Sequence, residues 1–380
     1  MAVSPLLLWR RDFDFSGQTS FLSSETGGFN GRLVESHPDR WFRVLLPQLY
    51  EKARLTVAEY VGSHPDNFVF VTNATTAVNT VVKHLKLGPE DMILCTSHTY
   101  NACYKAVDSA VRRADADIIT IDISVPIRSE QEIVEQIVET CRRNVGVRLA
   151  VIDHISSPSA LVFPVAEITR RLQQLGVLVL IDGAHAPGQL DLQLDQLGAD
   201  FYTGNLHKWC FAPKGSAFLW ASPAHRSSLE PLVTSHLYGQ SMQDQFYMQG
   251  TMDHTPYLTA PLALQFYQEQ GGREAVVDYT APILDWAQQM LCHSLNTSVL
   301  PVPASMISPF MRVLRLPGHE KFPVSRESAE KLMTDMASNS GVVPVVVAFS
   351  GNLWLRISCN LYSTRQDFVK LRDVLVKMFM

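Results

Sequence analysis

Short apolar runs alternate with amphipathic stretches through the first two thirds of this 380-residue chain. The runs fall at 67–72, 92–95, 117–121, 148–153, 177–182 and 217–220. Runs this short, bounded by polar or turn residues, read as buried strands. Between them, 77–85, 101–113, 129–143 and 165–175 carry helical periodicity. The third of these opens with Ser129 and has Glu132 at the spacing of a capping box. Strand runs joined by helical crossovers predict an α/β fold: a large domain with a mostly parallel sheet covered by helices on both faces.

The pattern changes after about residue 270. A helix is expected near 274–293, followed by a linker-like turn at Leu300-Pro-Val-Pro-Ala. Strands at 310–316, 342–349 and 353–358, with helices near 325–336 and 365–378, predict a smaller α+β C-terminal domain. The first 60 residues are glycine-rich up to Gly31 and helical from about Arg40. This segment is expected to pack on the small domain or at a dimer interface. The resulting division is 1–60, 61–270 and 271–380, with no internal repeat or low-complexity tract.

Composition narrows the partners. With 46% hydrophobic residues the chain can bury a large core. Thirty-two basic and 37 acidic residues give a net charge of −5, and no Lys/Arg run could follow a phosphate backbone, which argues against nucleic acid. The apolar patch in MAVSPLLLWRRDFDF is too short for a secretory signal and follows no basic segment. No stretch reaches the roughly 18 to 20 apolar residues of a membrane span. A cytoplasmic protein with no membrane partner is expected. Six cysteines (Cys95, Cys103, Cys141, Cys210, Cys292 and Cys359) form no CxxC and no Cys/His cluster. That usage predicts no metal site, a reducing compartment, and buried or half-buried free thiols.

Several runs end in residues that carry chemistry. Ligands of open α/β sheets bind beyond the carboxyl ends of the strands, so Thr72-Asn73, Asp153-His154 and Asp182-Gly-Ala-His185 should converge. Val71-Thr-Asn-Ala-Thr-Thr-Ala77 passes from strand to helix, and its free N–H groups with the Thr75 and Thr76 hydroxyls could hold an anion; Asn and Thr are also ordinary caps. A carboxylate at the end of a buried strand needs partners, so Asp182 either meets a cation such as a protonated pyridine nitrogen or caps the turn at Gly183. His185 could contact the same ligand or stand solvated in its loop. Asp153-His154 is followed by Ser156-Ser157-Pro158, a turn able to line the same cleft.

Lys208 lies in an apolar segment, where burial would depress its amine pKa as Schiff-base chemistry requires, although without the rest of the pattern a surface lysine is the favoured reading. Lys214, in a Pro-Lys-Gly turn, is expected to be exposed. Arg356, central in an apolar strand, needs a carboxylate from a substrate or from an internal ion pair.

Taken in order, the strand-Thr-Asn-Ala-Thr75 junction, Ser97-His-Thr-Tyr-Asn-Ala102, Asp182-Gly-Ala-His185, His207-Lys208 and Arg356 resemble fold type I pyridoxal-phosphate enzymes of the class V aminotransferase group. The nearest likeness is to the isopenicillin N epimerase-like branch, which also holds ergothioneine-pathway C–S lyases. It runs from about residue 20 to the end. The resemblance implies that Lys208 carries pyridoxal phosphate as a Schiff base and later moves the substrate Cα proton. It implies Asp182 on the pyridinium nitrogen and His185 near the phenolic oxygen, with Ala74, Thr75, Asn205 and His207 around the phosphate. His98 or Tyr100 would stack on the ring, and either could protonate a departing sulfur.

Met248-Gln-Gly-Thr-Met-Asp253 resembles the family's Trp-Thr-Gly-Thr-Arg-Asp, so Thr251 would reach the neighbouring subunit's phosphate in a homodimer with shared sites. Met248 and Met252 replace the family's Trp and Arg, and Ser24-Glu-Thr-Gly-Gly28 departs from its Asn-containing glycine loop. Arg356 would hold the carboxylate of a small amino-acid substrate reacting through an external aldimine. Cysteine desulfurases need a nucleophilic cysteine shortly before that arginine, and 337–355 contains none. The expected reaction is β-elimination that cleaves a C–S bond in a cysteine-derived substrate. Epimerase or aminotransferase chemistry is the alternative, and desulfurase activity or non-catalytic cofactor binding fits less well.

Overall fold

The structure, a computed structural model, describes residues 34–379; the 24–28 segment singled out above lies outside them. Seven strands form the large sheet: β1 (Phe68–Val71), β2 (Met92–Thr96), β3 (Asp117–Ile121), β4 (Val147–Asp153), β5 (Leu178–Asp182), β6 (Phe201–Asn205) and β7 (Ala217–Ala221). Their order is β1-β7-β6-β5-β4-β2-β3. The ladders from β3 through β6 are parallel. β7 runs antiparallel to both of its neighbours, β6 and β1. The sequence pattern had marked 217–220 as one more parallel strand and had not marked 201–205 as a strand. The physical reason lies in the connection: only residues 206–216 separate β6 from β7, and a parallel return needs a crossover of about a dozen residues or more.

Side-chain alternation gives the large sheet two apolar faces. Phe68, Phe70, Ala150, Ile152, Val179 and Ile181 point to one face, where they pack with residues of the helices Leu46–Tyr60, Glu130–Arg143 and Val165–Gln173. Val69, Val71, Leu149, Val151 and Leu180 point to the other, against the helices Ala74–His84 and Asn101–Ala114. Local caps fix where these helices begin. The Asn73 side chain accepts from the Thr76 amide at 2.8 Å. Ser129 Oγ accepts from the Glu132 amide, while the Glu132 carboxylate reaches back to the Arg128 amide at 2.9 Å, one residue before the position a strict capping box would use.

The helix Leu46–Tyr60 was expected on the small domain or a dimer interface. Its stripe of Tyr50, Ala53 and Val57 joins Phe68 and Phe70 in the core of the large sheet. Tyr50 meets Phe70 edge-on, and Tyr257 stacks on the same ring.

Three antiparallel strands form the small sheet, in the order β8 (Met311–Arg315), β10 (Asn352–Ser358), β9 (Val345–Phe349). On β10, Leu353, Leu355 and Ile357 pack into a separate core with the helices Gly272–Ser294, Arg326–Ser340 and Arg365–Phe379. Trp354 points the opposite way and joins Met311 and Val313 in the core of the large sheet. Alternation therefore puts Arg356 on the face that looks toward the large sheet.

All six cysteines are free; five are buried and Cys292 is half-buried. Among the described residues no His/Cys/Asp/Glu group could hold a metal, and no helix is long and apolar enough to cross a membrane.

Gly204 sits in β6 just before Asn205, and a Cβ there would lie 2.6 Å from the Phe218 ring and 2.7 Å from Pro187. Gly204→Ala is expected to cost about 1–3 kcal/mol through overpacking. Chemical denaturation checks this, and an unchanged midpoint would show that the Phe218 ring has room to yield.

Candidate active site

The carboxyl ends of β1, β4, β5 and β6 open into a cavity of about 190 Å³. From β1 come Asn73, Ala74 and Thr75; from β4 Asp153, Ile155 and Ser157; from β5 Asp182, Ala184 and His185; from β6 Asn205, His207 and Lys208. Tyr100 and Cys103 close it from the start of the Asn101–Ala114 helix.

The β1 end is a helix N-terminus with its amides partly engaged. Ala74 N–H donates to Asn205 Oδ1 at 2.9 Å, and Thr76 N–H goes to Asn73. The Thr75 amide and hydroxyl border the cavity, as does the Asn205 side chain, whose Oδ1 is taken and whose Nδ2 remains a donor. His207 Nδ1 pairs with the Ser216 carbonyl at 2.8 Å, so Nδ1 must carry the hydrogen. Burial, with Lys214 and Lys208 nearby, pushes the His207 pKa down to about 4.

Asp182 is buried, at 3% exposure, yet well supplied with donors. Its Oδ1 accepts from the Ala184 amide at 3.0 Å and its Oδ2 from the Cys103 thiol at 3.1 Å. Burial and the Asp182 charge push the Cys103 thiol far above its usual value, so it stays a protonated donor. Lys208 is half-buried. Burial lowers its amine pKa and Arg356 adds to the effect, while Asp182 opposes it.

His185 is buried beside Trp209, whose indole N–H donates to His185 Nδ1 at 3.2 Å. Nδ1 is therefore unprotonated. Burial, reinforced by Lys208 and Arg356, holds the ring neutral with its hydrogen on Nε2.

Arg356 Nη1 donates to both the carbonyl and the hydroxyl of Ser157, the latter at 3.2 Å. No acidic side chain pairs with it among the described residues, and its buried Nε has no partner. Burial lowers its pKa to about 10. The internal ion pair considered from the sequence finds no partner among the described residues.

The two ring-stacking candidates separate. Tyr100 borders the cavity and is 47% exposed. His98 is 1% exposed, its Nε2 is bonded to the Ile123 carbonyl at 2.8 Å, and its ring contacts Phe349. It is not among the residues that line the cavity, its ring being held between the Ile123 carbonyl and the Phe163 and Phe349 rings. Thr251 lies exposed in the loop before the Thr255–Leu258 helical turn, away from this chain's cavity. Sequence reading passed over Cys103 as a structural thiol. Its position three residues after Tyr100, on the same helix face, was the available signal.

The profile of the family described as "Aminotransferase class-V" matches residues 42–370. "Isopenicillin N epimerase" of Streptomyces clavuligerus is 29% identical, covering 92% of this chain and 89% of that protein. An Arabidopsis thaliana protein named "Probable L-cysteine desulfhydrase, chloroplastic" is 29% identical, covering 89% of this chain and 76% of that one. The solved structure of a cystine C–S lyase in complex with its product cysteine persulfide superposes with a TM-score of 0.75 at 18% identity, covering 94% of each chain. At that identity the likeness shows the shared fold alone.

His154, beneath the cavity, pairs through Nδ1 with the Tyr202 hydroxyl at 2.8 Å, and burial lowers its pKa from 6.5 to about 4. Between those values the unfolded chain binds a proton that the folded chain refuses. This contribution to stability is present above 6.5 and lost as pH falls toward 4. Wild type should therefore lose more stability on acidification than His154→Gln. Denaturant midpoints for both proteins at about pH 7 and about pH 5 measure the difference; parallel pH profiles would contradict the assignment.

Proposed function

This chain belongs to the aminotransferase class-V family, and from that premise we propose that it is a pyridoxal-phosphate-dependent lyase that breaks the C–S bond of a cysteine-derived amino acid. The observation that carries the reading is Arg356: a half-buried arginine with a buried Nε, oriented by Ser157, with no carboxylate partner among the described residues. A substrate α-carboxylate is the partner that such a fork accepts, through two parallel hydrogen bonds.

The residues present fit pyridoxal phosphate. Donors on Thr75 and Asn205 at a helix N-terminus suit a phosphate. His207 would add Nε2 after taking up a proton, which a nearby dianion favours. Ala74 serves indirectly, since its amide fixes Asn205. Asp182, held in place by hydrogen bonds from the Ala184 amide and the Cys103 thiol, would pair with the ring nitrogen, and neutral His185 would present Nε2–H. When bound, the cofactor supplies an electron sink for the pair left at Cα.

Lys208 Nζ would hold the cofactor covalently and, with its lowered amine pKa, take the Cα proton at neutral pH. Tyr100 would cover the ring and carry the proton to the departing sulfur. Exposed Thr251 would serve a second copy, which makes the working unit a homodimer. The 61–270 segment would then form the cofactor domain and 271–380 the small domain, in a cytoplasmic protein.

A desulfurase needs a thiol on a mobile arm. Here β9 and β10 are joined by Ser350-Gly351 alone, both at positive φ, a turn that closes the strand pair with nothing to swing. Cys359, beyond Arg356, is buried. Elimination requires only a base and a proton donor. Epimerisation remains the second reading, favoured by the 29% identity to an isopenicillin N epimerase over most of both chains.

Purified protein should absorb visible light after reconstitution with pyridoxal phosphate, and Lys208→Ala should lose that band. A colourless reconstituted wild type would end this reading. Arg356→Ala should keep the colour and raise KM about 10- to 100-fold, the size expected for a lost charge-assisted pair. A panel of cysteine conjugates and their sulfoxides decides the reaction: pyruvate and ammonia mark elimination, inverted amino acid marks epimerisation, and alanine would count for desulfuration against both.

A further inference from the structure

Asp153 is the one acidic side chain of the cavity that the reading above leaves without a task. It ends β4 as Asp182 ends β5, and the two are direct partners in the parallel register. Asp153 follows Leu149 and Val151, and Asp182 follows Leu180, so both carboxyl groups leave the sheet on the same face. Neighbouring strands lie about 4.8 Å apart. The two carboxyls thus stand side by side, 2% and 3% exposed, on the wall of one cavity.

Their surroundings differ. Asp182 receives hydrogen bonds from the Ala184 amide and the Cys103 thiol, whereas Asp153 Oδ2 is buried with no partner. Two anions this close in a buried site cannot both persist, and donors decide which one keeps its charge.

We propose that the Asp153–Asp182 pair carries a single negative charge, with Asp153 held as the neutral acid and positioning residue that leaves the charge on Asp182. The ionisable groups facing Asp153 are Asp182 from β5, Cys95 from β2, Cys103 from the Asn101–Ala114 helix, and Lys208 from the short helix after β6. Burial and then the Asp182 charge push Asp153 well above the usual carboxylate range; Lys208 and the backbone amides of Asp153 and Tyr100 pull the other way without reversing it. The functional consequence rests on the cofactor reading: the ring nitrogen would meet one anion, fixed on Asp182, rather than a charge shared between two sites.

The full chain and its Asp153→Asn variant test this. The infrared band of a protonated carboxylic acid should be present in wild type at neutral pH and lost in Asp153→Asn. A buried acid with a raised pKa loses stability as pH rises from its unfolded value toward its folded one. The variant should therefore gain on wild type in thermal midpoint, by a margin that widens from about pH 5 to about pH 8. After reconstitution with pyridoxal phosphate, both proteins should show the same visible spectrum at neutral pH, because the replaced group is already neutral.

An absent acid band, or a margin that narrows with pH, would establish Asp153 as an anion and overturn the proposal. Should Asp153→Asn not fold, Asp153→Ser serves the same comparison. If the band and the widening margin appear while neither protein takes up cofactor colour, the proton assignment stands and the cofactor reading falls.

Discussion

A single hydrogen bond, from the Ala74 amide to the Asn205 side chain, sets the geometry on which the site depends. Its ends lie on the helix that follows β1 and at the end of β6, two strands that do not touch because β7 lies between them. Only an antiparallel β7 lets β6 hand the chain back through so short a connection and still leave Asn205 level with the start of the Ala74–His84 helix. The bond joins the helix end that borders the cavity to the strand that delivers Lys208. Without it, the helix N-terminus and the lysine would be two unrelated features of one sheet.

Around that link the charges are arranged as a sequence of dependencies. Asp182 accepts hydrogen bonds from an amide and a thiol. Lys208 sheds its proton more readily because it is buried and has Arg356 near it, and His185 stays neutral for the same two reasons. Three potentially cationic side chains in one cavity would repel one another if all were charged. The structure relieves this by keeping the imidazole uncharged and the amine easily deprotonated, which leaves the guanidinium as the fixed cation.

Much of this was legible in the chain. Asp182 and His185 stand out because a polar residue that ends an apolar run must have a reason to be there, whereas Lys208 is singled out only by the family resemblance, since its own neighbours favour a surface lysine. The direction of β7 was less legible, since an apolar run has no polarity of its own; the short 206–216 connection held the information, and it was passed over. The order of His98 and Tyr100 depended on how a four-residue turn leaves β2, which side-chain type does not encode. Cys103 was invisible for a related reason: its chemistry comes from a helix packing its first turn over a strand end, a contact made only in three dimensions. Asp153 was seen, but its difference from Asp182 lies in which carboxyl finds donors, and no spacing rule reports that.

The alternation along β10 has one further effect. Trp354 is locked into the core of the large sheet and Arg356 follows it on the same face, with its guanidinium already bonded to Ser157. A free arginine carries about 2 kcal/mol of rotamer entropy. Here that freedom is surrendered when the chain folds, so if Arg356 receives an anion as proposed, the anion need not impose order on its receptor, and its affinity would reflect the contacts themselves. The same rigidity makes the small sheet a gauge of length: a ligand whose anionic end falls short of Arg356 cannot be met halfway.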